Sequence, residues 1–364
     1  MLATTTTNFY WGITGALGLA TIGSYAGGFL AAYVGRKLHI MDRPGSRSSH
    51  STPTPRTGGM AILLGTLMGL SLHAQPSMAF VAAAVVGAII TTISFLDDII
   101  TIPSLPRLAG HFIVAGLTLH MIGLGLPAIG LPFARFDLPP LVGFIVGMVF
   151  VVGFVNFFNF MDGINGLGAA QGLWGGLTLA ILLAWGQGGQ EMGNSFLYGA
   201  AIAGGSLGFL PHNFPKARVF MGDIGSTTIG FVLAVLTLLG ARHGRIDGEP
   251  IPWVAFVMPL GVFLYDATFT LFKRILRREN FLKAHREHHY QLLVRCGWSH
   301  AKVTALQMGL MTLCSAGALL YAAGDDQIRL AVLLVVICVF VSYSVLVHRY
   351  FNIHRLDAPT ETTS

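Results

Sequence analysis

Long apolar segments constrain this chain more than any other feature of its sequence. Eleven runs of about 20 mostly apolar residues follow one another, each long enough to cross the hydrocarbon core of a bilayer as a helix. They lie near residues 9–34, 58–74, 78–96, 108–126, 140–160, 166–186, 195–211, 226–241, 251–272, 302–323 and 328–347. Only 10% of the residues are charged, against roughly 25% in soluble domains. The sequence therefore predicts an all-α polytopic membrane protein with about 11 transmembrane helices.

Basic residues indicate how these helices are oriented, because cytoplasmic loops carry an excess of Lys and Arg. With an external N-terminus, 18 of the 22 Lys and Arg residues fall on the cytoplasmic side. The four external ones are Arg135, Arg242, Arg245 and Arg329. We therefore expect an external N-terminus and a cytoplasmic C-terminus. The formal charge of +6 then reflects this topology and contact with anionic lipid and substrates, and nucleic acid is not an expected partner.

Closely spaced runs leave no room for a separate soluble domain. Residues 1–353 are expected to form one integral membrane domain, followed by a disordered cytoplasmic tail at 354–364. The loops at 36–57 and 273–301 are long enough to carry function, and both are cytoplasmic in this topology. The three cysteines form no CxxC pair, which argues against a disulfide framework or a zinc ribbon.

Four aspartates stand at the ends of predicted spans, where a charge is costly without a partner, an ion or water. Asp97 and Asp98 end the third span, Asp162 ends the fifth, and Asp223 precedes the eighth. The order of the spans brings all four to the cytoplasmic membrane surface. Solvation among lipid headgroups is the simpler explanation for any one of them, but it is less convincing for four on one face.

Several carboxylates beside basic loops suit Mg²⁺, which one or two carboxylates commonly hold together with substrate phosphates. Asp223 is the best ligand candidate, because Ser226 is expected to cap the eighth helix, whose free N–H groups can receive a diphosphate. Asp98 is the second metal candidate. Asp97 and Asp98 point about 100° apart on a helix, so we expect one near a metal or phosphate and the other near the reacting group.

Amide side chains interrupt the fifth apolar run in FVNFFNFMDGINGL, residues 154–167. Asn156 and Asn159 are spaced i, i+3 and lie on one helical face. Amides donate and accept hydrogen bonds without charge, which suits contact with a ligand at the membrane surface. Packing of amides between helices is the alternative.

Histidines cluster in the last cytoplasmic loop. Zinc is one ligand for such a cluster, but no cysteine or carboxylate set completes a site. A cationic lining for a diphosphate agrees better with the basic residues around it, Arg286 among them. A solvated loop explains His300 equally well. The histidines are His285, His288, His289 and His300.

Five segments in this order resemble the polyprenyl-phosphate sugar-1-phosphate transferases: DRPGSRSSHSTPTPRTGG, FLDD, NFFNFMDGINGL, VFMGDIGS and HREHHYQ. The resemblance implies transfer of a sugar 1-phosphate from a UDP-N-acetylhexosamine to polyprenyl (undecaprenyl) phosphate, with release of UMP. It also implies Mg²⁺, with Mn²⁺ as a substitute, and an active site on the cytoplasmic face of the bacterial inner membrane. AHREHHYQ with GWSH is more similar to the branch that initiates O-antigen or related surface polysaccharides than to the muramoyl-pentapeptide branch. The sugar is left open, and so is a homodimer.

The same resemblance assigns roles to the acidic and first-loop residues. Asp97 and Asp98 match the aspartate pair that activates the lipid phosphate or helps to hold the metal. Asp223 matches the metal ligand. His50 and Arg56 fall in the first-loop motif, where basic residues meet the lipid phosphate.

For the nucleotide, the resemblance implies that Phe220 stacks on uracil and that Asn159 and Asp162 form the polar wall of the site. His288 and His289 match a histidine pair that contacts phosphates. On this basis Asp162 and the two histidines are counted with the catalytic candidates.

Two positions depart from the family pattern. Asn165 replaces the second aspartate of DGxDGL, but its amide can still pair with uracil, so replacement by Asp is expected to be tolerated. The usual HxHH is HREHH here, which leaves the role of His285 open.

An ion-coupled transporter is the alternative function. Transporters place ionisable groups near the bilayer midplane and often show repeat symmetry. Here the carboxylates are predicted at one surface, and the sequence shows no repeat.

Overall fold

The structure is a computed structural model that describes residues 2–42, 52–71, 88–97, 103–185, 194–279 and 285–355. Helices make up most of this part of the chain. In order they are α1 (Leu2–Lys37), α2 (Gly59–Ser71), α3 (Ala88–Asp97), α4 (Ser104–Met121), α5 (Pro140–Met161), α6 (Leu167–Trp185), α7 (Phe196–Asn213), α8 (Gly222–His243), α9 (Trp253–Val257), α10 (Gly261–Leu276), α11 (His289–Arg295), α12 (His300–Ala323) and α13 (Asp326–Arg355). A 3₁₀ turn, Met258–Leu260, joins α9 to α10.

A helix covers all or part of each apolar run that the sequence predicted to span the membrane. Seven helical segments within the described ranges are long and apolar enough to cross a bilayer, so the chain is a multi-span membrane protein. They are Trp11–Lys37, Pro140–Met161, Leu167–Trp185, Gly222–His243, Trp253–Leu276, His300–Ala323 and Asp326–His354. The apolar helices α2 and α3 are shorter. A total of 11 spans and the orientation of the termini stay predictions.

Three antiparallel hairpins lie in the connections, and the sequence reasoning expected no strands there. They pair β1 (Met41–Asp42) with β2 (Thr54–Pro55), β3 (Ala128–Leu131) with β4 (Ala134–Asp137), and β5 (Arg245–Ile246) with β6 (Glu249–Pro250). Asp247 and Gly248 both have positive φ, at 51° and 86°, as a two-residue type I′ hairpin turn requires. An Asp-Gly pair is a strong hairpin signal, so this strand pair was readable from the sequence.

Burial separates central from peripheral helices. In the apolar 18-residue stretch of α8, 89% is buried inside the protein, against 22% in that of α13. Helix α8 therefore lies at the centre of the bundle and α13 at its edge. Small residues let α6 and α7 approach closely, since a Cβ on Gly176 would lie 2.7 Å from the Gly199 carbonyl oxygen. The centre of the bundle therefore holds the start of α8, and Asp223 with it, in a fixed position.

Candidate active site

A cavity of about 280 Å³ opens where α5 ends and α8 begins. The hairpin of β1 and β2 and the turn between α5 and α6 complete its walls. Six of the residues predicted from the sequence line it: Arg56, Asn159, Asp162, Asn165, Phe220 and Asp223. His50 and Asp98 lie outside the described residues.

Backbone hydrogen bonds join the segment from β2 into α2 to the segment before α8. The Phe220 N–H donates to the Pro55 carbonyl over 2.7 Å, and the Gly58 N–H donates to the Phe220 carbonyl over 2.8 Å. The Gly59 N–H donates to the Met221 carbonyl over 2.7 Å. Arg56 and Phe220 thus reach the same cavity from segments more than 160 residues apart in the sequence.

Close backbone approach continues where α2 meets the first turn of α8. A Cβ on Gly59 would lie 2.3 Å from the Gly225 nitrogen, and backbone atoms cannot move aside as a flexible side chain can. This contact requires glycine at position 59. It fixes the start of α8 against α2 and so sets the position of Asp223.

The turn from α5 into α6 is held by two polar side chains. Asp162 Oδ1 accepts a hydrogen bond from the Gly168 N–H at 3.2 Å, within the first turn of α6. Asn213 accepts from the Gly166 N–H and donates to the Val219 carbonyl at 2.9 Å, which ties this turn to the loop before α8. Gly166 has φ +81°, a conformation that favours glycine.

Asp97 and Asp223 lie close together beside the cavity, and Arg107 contacts both. Arg107 forms an ion pair with Asp97, and its Nη1 lies 3.7 Å from Asp223 Oδ2. Asp223 also forms hydrogen bonds with Asp97 and Asn159 and lies in the field of Arg56. The Asp97 side chain is 6% exposed and that of Asp223 is 21% exposed, so a ligand in the cavity has better access to Asp223.

Ser226 does not cap α8, and that expectation was wrong. The helix begins at Gly222, four residues earlier, so the Ser226 hydroxyl lies inside it and donates back to the Gly222 carbonyl at 3.3 Å. The same hydroxyl accepts a hydrogen bond from Asn159 Nδ2 at 3.0 Å. Ser226 therefore orients Asn159 at the cavity wall.

Burial raises the pKa of Asp162 from 3.8 to about 8. The negative charge of Asp223 acts in the same direction, and the hydrogen bond from the Gly168 N–H opposes it. In the free protein Asp162 is therefore mostly neutral at pH 7. A neutral carboxyl can donate a hydrogen bond as well as accept one.

The chemistry of the two carboxylates fits a magnesium ion. Among the described residues, no group of three or more His, Cys, Asp or Glu side chains could hold a metal alone. Asp97 and Asp223 lie together, with Asp223 in the lining of an open cavity, and their oxygens are hard ligands when both carboxyls are deprotonated. Such a set suits Mg²⁺ when substrate phosphates complete the coordination.

Comparison with known proteins decides the family. Residues 80–241 match glycosyl transferase family 4. A phospho-N-acetylmuramoyl-pentapeptide-transferase of Enterococcus hirae is 30% identical over 268 residues, which are 69% of this chain and 78% of that protein. The chain belongs to glycosyl transferase family 4. It is an enzyme, a glycosyl-1-phosphate transferase.

Other relatives carry related names. A decaprenyl-phosphate N-acetylglucosaminephosphotransferase of Mycobacterium leprae is 29% identical over 312 residues, 79% of this chain and 78% of the relative. A probable undecaprenyl-phosphate N-acetylglucosaminyl 1-phosphate transferase of Bacillus subtilis is 28% identical over 272 residues, 72% of each chain.

Asn156 does not line the cavity of this transferase. Its Nδ2 donates to the Val152 carbonyl at 2.7 Å and lies 3.4 Å from His111 Nδ1 on α4. The expectation of a ligand contact is not supported here, and the alternative of amide packing between helices describes the residue. Asn156 and Asn159 are about 60° apart around α5, which is enough to point one at α4 and the other at the cavity.

His288 and His289 do not line the cavity either. His289 is fully buried, with its backbone N–H bonded to Asp266 Oδ1 at 3.0 Å and its Nε2 2.8 Å from Ser344 Oγ. His288 Nδ1 lies 3.2 Å from the same Asp266 oxygen. The phosphate contact predicted for His289 therefore does not match its position, because both ring nitrogens face protein groups. For His288 it stays a prediction.

Two residues near the histidine pair, Tyr290 in α11 and His300 at the start of α12, nevertheless contact segments of the active site. The Tyr290 hydroxyl donates to the Phe160 carbonyl at 3.0 Å, and His300 Nδ1 lies 3.5 Å from the Asn165 nitrogen. Burial lowers the pKa of His285 to about 4, with nearby positive charges acting in the same direction, so this ring is neutral at pH 7. His285 is therefore uncharged in the free protein, and its role stays open, as the sequence left it. His285 and Arg286 are both absent from the cavity lining.

Four polar residues important to this geometry were missed by the sequence reasoning: Asp42, Arg107, Asn213 and Asp266. Asp42 lines the cavity, but within the first-loop motif only His50 and Arg56 were singled out. Arg107 entered only the count of cytoplasmic charges. Asp266 lies inside the ninth apolar run, and a carboxylate within a membrane span is itself a functional signal.

Proposed function

We propose that this transferase moves a sugar 1-phosphate from a UDP-N-acetylhexosamine to polyprenyl phosphate and releases UMP. One observation carries the proposal: a polar cavity at the ends of membrane-spanning helices collects Asn159, Asp162, Asn165, Phe220 and Asp223. Amides and an aromatic ring suit pairing and stacking with a base, and the cationic Arg56 beside a carboxylate that can hold Mg²⁺ suits the charge of a diphosphate. The names of the relatives agree with this reaction.

The nucleotide occupies the side of the cavity between Phe220 and Asn165 in this proposal. The Phe220 ring stacks on uracil, and Asn165 pairs with its edge. Because Asn165 Nδ2 already donates to the Pro215 carbonyl at 3.1 Å, its Oδ1 is the atom left to accept from the uracil N3–H. Burial raises the pKa of Asp162, and its carboxyl can donate a hydrogen bond to the nucleotide when it is protonated.

The diphosphate and the lipid phosphate meet near the two carboxylates. An oxygen of the lipid phosphate attacks the sugar-bearing phosphorus, and the bond from that phosphorus to the UMP oxygen breaks. Arg56 and Arg107 lie beside Asp223 and counter the charge that accumulates on the phosphoryl oxygens. Asp223 and Asp97 would hold a Mg²⁺, which would supply further charge neutralisation at the phosphates when bound. The protein's contribution is mainly position and charge, as in other phosphoryl transfers.

Of Asp97 and Asp98, we assign Asp97 as the metal ligand, because its side chain lies against that of Asp223. From the sequence Asp98 was the second metal candidate, with the division of roles between Asp97 and Asp98 left open, and position 98 lies outside the described residues. Asp98 keeps its place as the candidate near the lipid phosphate, together with His50.

We further propose the finer details that the resemblance implied. The enzyme lies in the bacterial inner membrane with 11 spans and its active site on the cytoplasmic face. Its product initiates O-antigen or a related surface polysaccharide, which AHREHHYQ with GWSH supports. Relatives named for N-acetylglucosamine support UDP-N-acetylglucosamine as the first donor to test, although others are named for the muramoyl-pentapeptide.

An ion-coupled transporter fits the structure less well. The carboxylates of the cavity lie at helix ends, with Asp162 just beyond α5 and Asp223 in the first turn of α8. A transport site would place such groups near the middle of the spans.

Release of UMP tests the proposal directly. Purified enzyme in detergent is given polyprenyl phosphate, Mg²⁺ and each of several UDP-sugars, and both UMP and lipid-linked product are measured. Asp223→Asn is expected to abolish turnover while leaving the fold intact. Asp137→Asn is the matched control, since Asp137 is an exposed aspartate in a hairpin outside the cavity. Absence of UMP with every UDP-sugar, together with solute flux in vesicles, would favour the transporter.

A further inference from the structure

A second cavity, of about 620 Å³, lies at the opposite end of the helix bundle. Its walls are the hairpin of β3 and β4, the end of α8 with the hairpin of β5 and β6, and the start of α13. Along α8, the 19 residue steps from Asp223 to Arg242 span roughly 29 Å. This equals the thickness of a bilayer's hydrocarbon core, about 30 Å. The two cavities therefore face opposite membrane surfaces.

Charge distinguishes this second cavity. The four arginines that the topology leaves on the external side all line it: Arg135, Arg242, Arg245 and Arg329. Positive residues are disfavoured on that side of a membrane, so their collection around one cavity calls for a ligand. The carboxylates in the lining are Glu249 and Asp326, which leaves an excess of positive charge.

The arginines differ in how far neighbouring groups already use them. Arg135 Nε bonds Asp137 at 2.9 Å, and Arg329 bonds Asp326 at 3.3 Å and the Tyr321 carbonyl at 3.2 Å. Arg242 and Arg245 are exposed and form no ion pair with the described residues. Their guanidinium groups are therefore available for a phosphate, which arginine binds in a bidentate manner.

An apolar cleft begins where the basic cavity ends. Trp253 lines both, and the cleft of about 210 Å³ continues between α9, α10 and α13 with apolar residues along its length. Arg329, Leu333 and Val336 follow at i, i+4 and i+7 on α13, so one helix face leads from the charged cavity into the cleft. The Trp253 indole N–H is buried and has no hydrogen-bond partner in the part of the chain that the structure describes.

We propose that this cavity binds the phosphate-bearing headgroup of an anionic lipid from the external leaflet, and that the cleft holds part of its apolar tail. Free phosphate would explain the arginines but not the continuous cleft below Trp253. An uncharged lipid would explain the cleft but not the four arginines. A phosphate-bearing amphiphile matches both, and its site is separate from the catalytic cavity.

Native mass spectrometry of the purified full chain with phosphatidylglycerol and phosphatidylcholine tests this. Wild-type protein is expected to retain one phosphatidylglycerol in preference to phosphatidylcholine. Arg242→Gln with Arg245→Gln should weaken that binding by roughly tenfold or more, because two charge-assisted contacts are lost. Arg36→Gln with Lys37→Gln is the matched control: it removes two exposed positive charges at the end of α1, outside the cavity, and should leave binding unchanged.

Further arms separate a lipid from a free anion. Glycerol 3-phosphate, at the same concentration as the lipid, should displace little phosphatidylglycerol, and Leu333→Phe, which fills the cleft, should weaken lipid binding. UMP release and the thermal unfolding temperature report whether each variant folds, and the single variants Arg242→Gln and Arg245→Gln replace the double one if it does not. Unchanged lipid binding in the arginine variants, equal loss in the control, or full displacement by glycerol 3-phosphate would overturn the proposal.

Discussion

Arg107 occupies the position of a competing cation in the active site. Its guanidinium is paired with Asp97 and lies 3.7 Å from Asp223 Oδ2, the two carboxylates proposed to hold Mg²⁺. Replacing it by Gln removes the positive charge but keeps a polar side chain of similar length. We therefore expect Arg107→Gln to bind a divalent cation more tightly in the absence of substrates.

The size of the effect follows from this distance and from solvent access. Two unit charges 3.7 Å apart interact by about 1 kcal/mol in water and about 4.5 kcal/mol at an effective dielectric constant of 20. Because the Arg107 side chain is 24% exposed and that of Asp223 is 21% exposed, we take the lower part of this range, about 1 to 2 kcal/mol. The dissociation constant of the metal should fall roughly 5- to 30-fold.

The assay is binding of Mn²⁺, as a paramagnetic substitute for Mg²⁺, followed by electron paramagnetic resonance of the free ion. Arg135→Gln is the control, since it breaks an arginine–aspartate pair of 2.9 Å outside the catalytic cavity and should leave Mn²⁺ binding unchanged. Turnover should fall in Arg107→Gln, because the arginine no longer counters charge on the transferring phosphoryl group. Weaker Mn²⁺ binding in Arg107→Gln would mean that the guanidinium organises the carboxylates, and our reasoning about competition would be refuted.

Three further predictions concern the walls of the catalytic cavity. Asp162→Asn keeps an acceptor for the α6 N–H. Because the pKa of Asp162 rises from 3.8 to about 8 on folding, the stability of the wild type relative to this variant should fall from about pH 4 to pH 8 and then level off. Unfolding temperatures of the two proteins that stay parallel across this range would contradict the raised pKa. In steady-state kinetics, Asn165→Leu should raise the KM for the UDP-sugar by an amount equivalent to about 1 to 3 kcal/mol with little change in kcat. Asn165→Asp should also raise this KM, contrary to the sequence expectation, because the donor to the Pro215 carbonyl is lost. A wild-type KM in Asn165→Asp would restore that expectation. Gly59→Ala should lower the free energy of unfolding by about 1 to 3 kcal/mol because its Cβ meets the Gly225 backbone, measured as a lower unfolding temperature, and an unchanged temperature would show that α2 and α8 can separate at no cost.

Part of the site could be read from the sequence because its signals are local. A run of apolar residues predicts a helix without knowledge of its neighbours, and each run had one in the described residues. Motif residues such as Asn159, Asp162 and Asp223 were recognisable within short segments, and the order of the spans placed them on one side. The family and its enzyme class followed from those motifs and agree with the comparisons.

How those side chains point and what they contact could be seen only in the three-dimensional fold. Asn156 and Asn159 look equivalent in the sequence, yet one packs against His111 and the other reaches Ser226 at the cavity. His289 looked like a phosphate ligand and is buried against Asp266, a residue that the apolar run concealed.

The physical reason lies in the range of the interactions. Hydropathy and helical periodicity act within a few turns of chain, so the helices and the polar residues at their ends could be read from the sequence alone. The direction of a side chain at a helix end depends on which helix packs beside it. Here that is set by contacts between distant segments, such as Gly59 with Gly225 and Phe220 with Pro55. Those contacts bring Arg107 between Asp97 and Asp223, a position that no local pattern specifies.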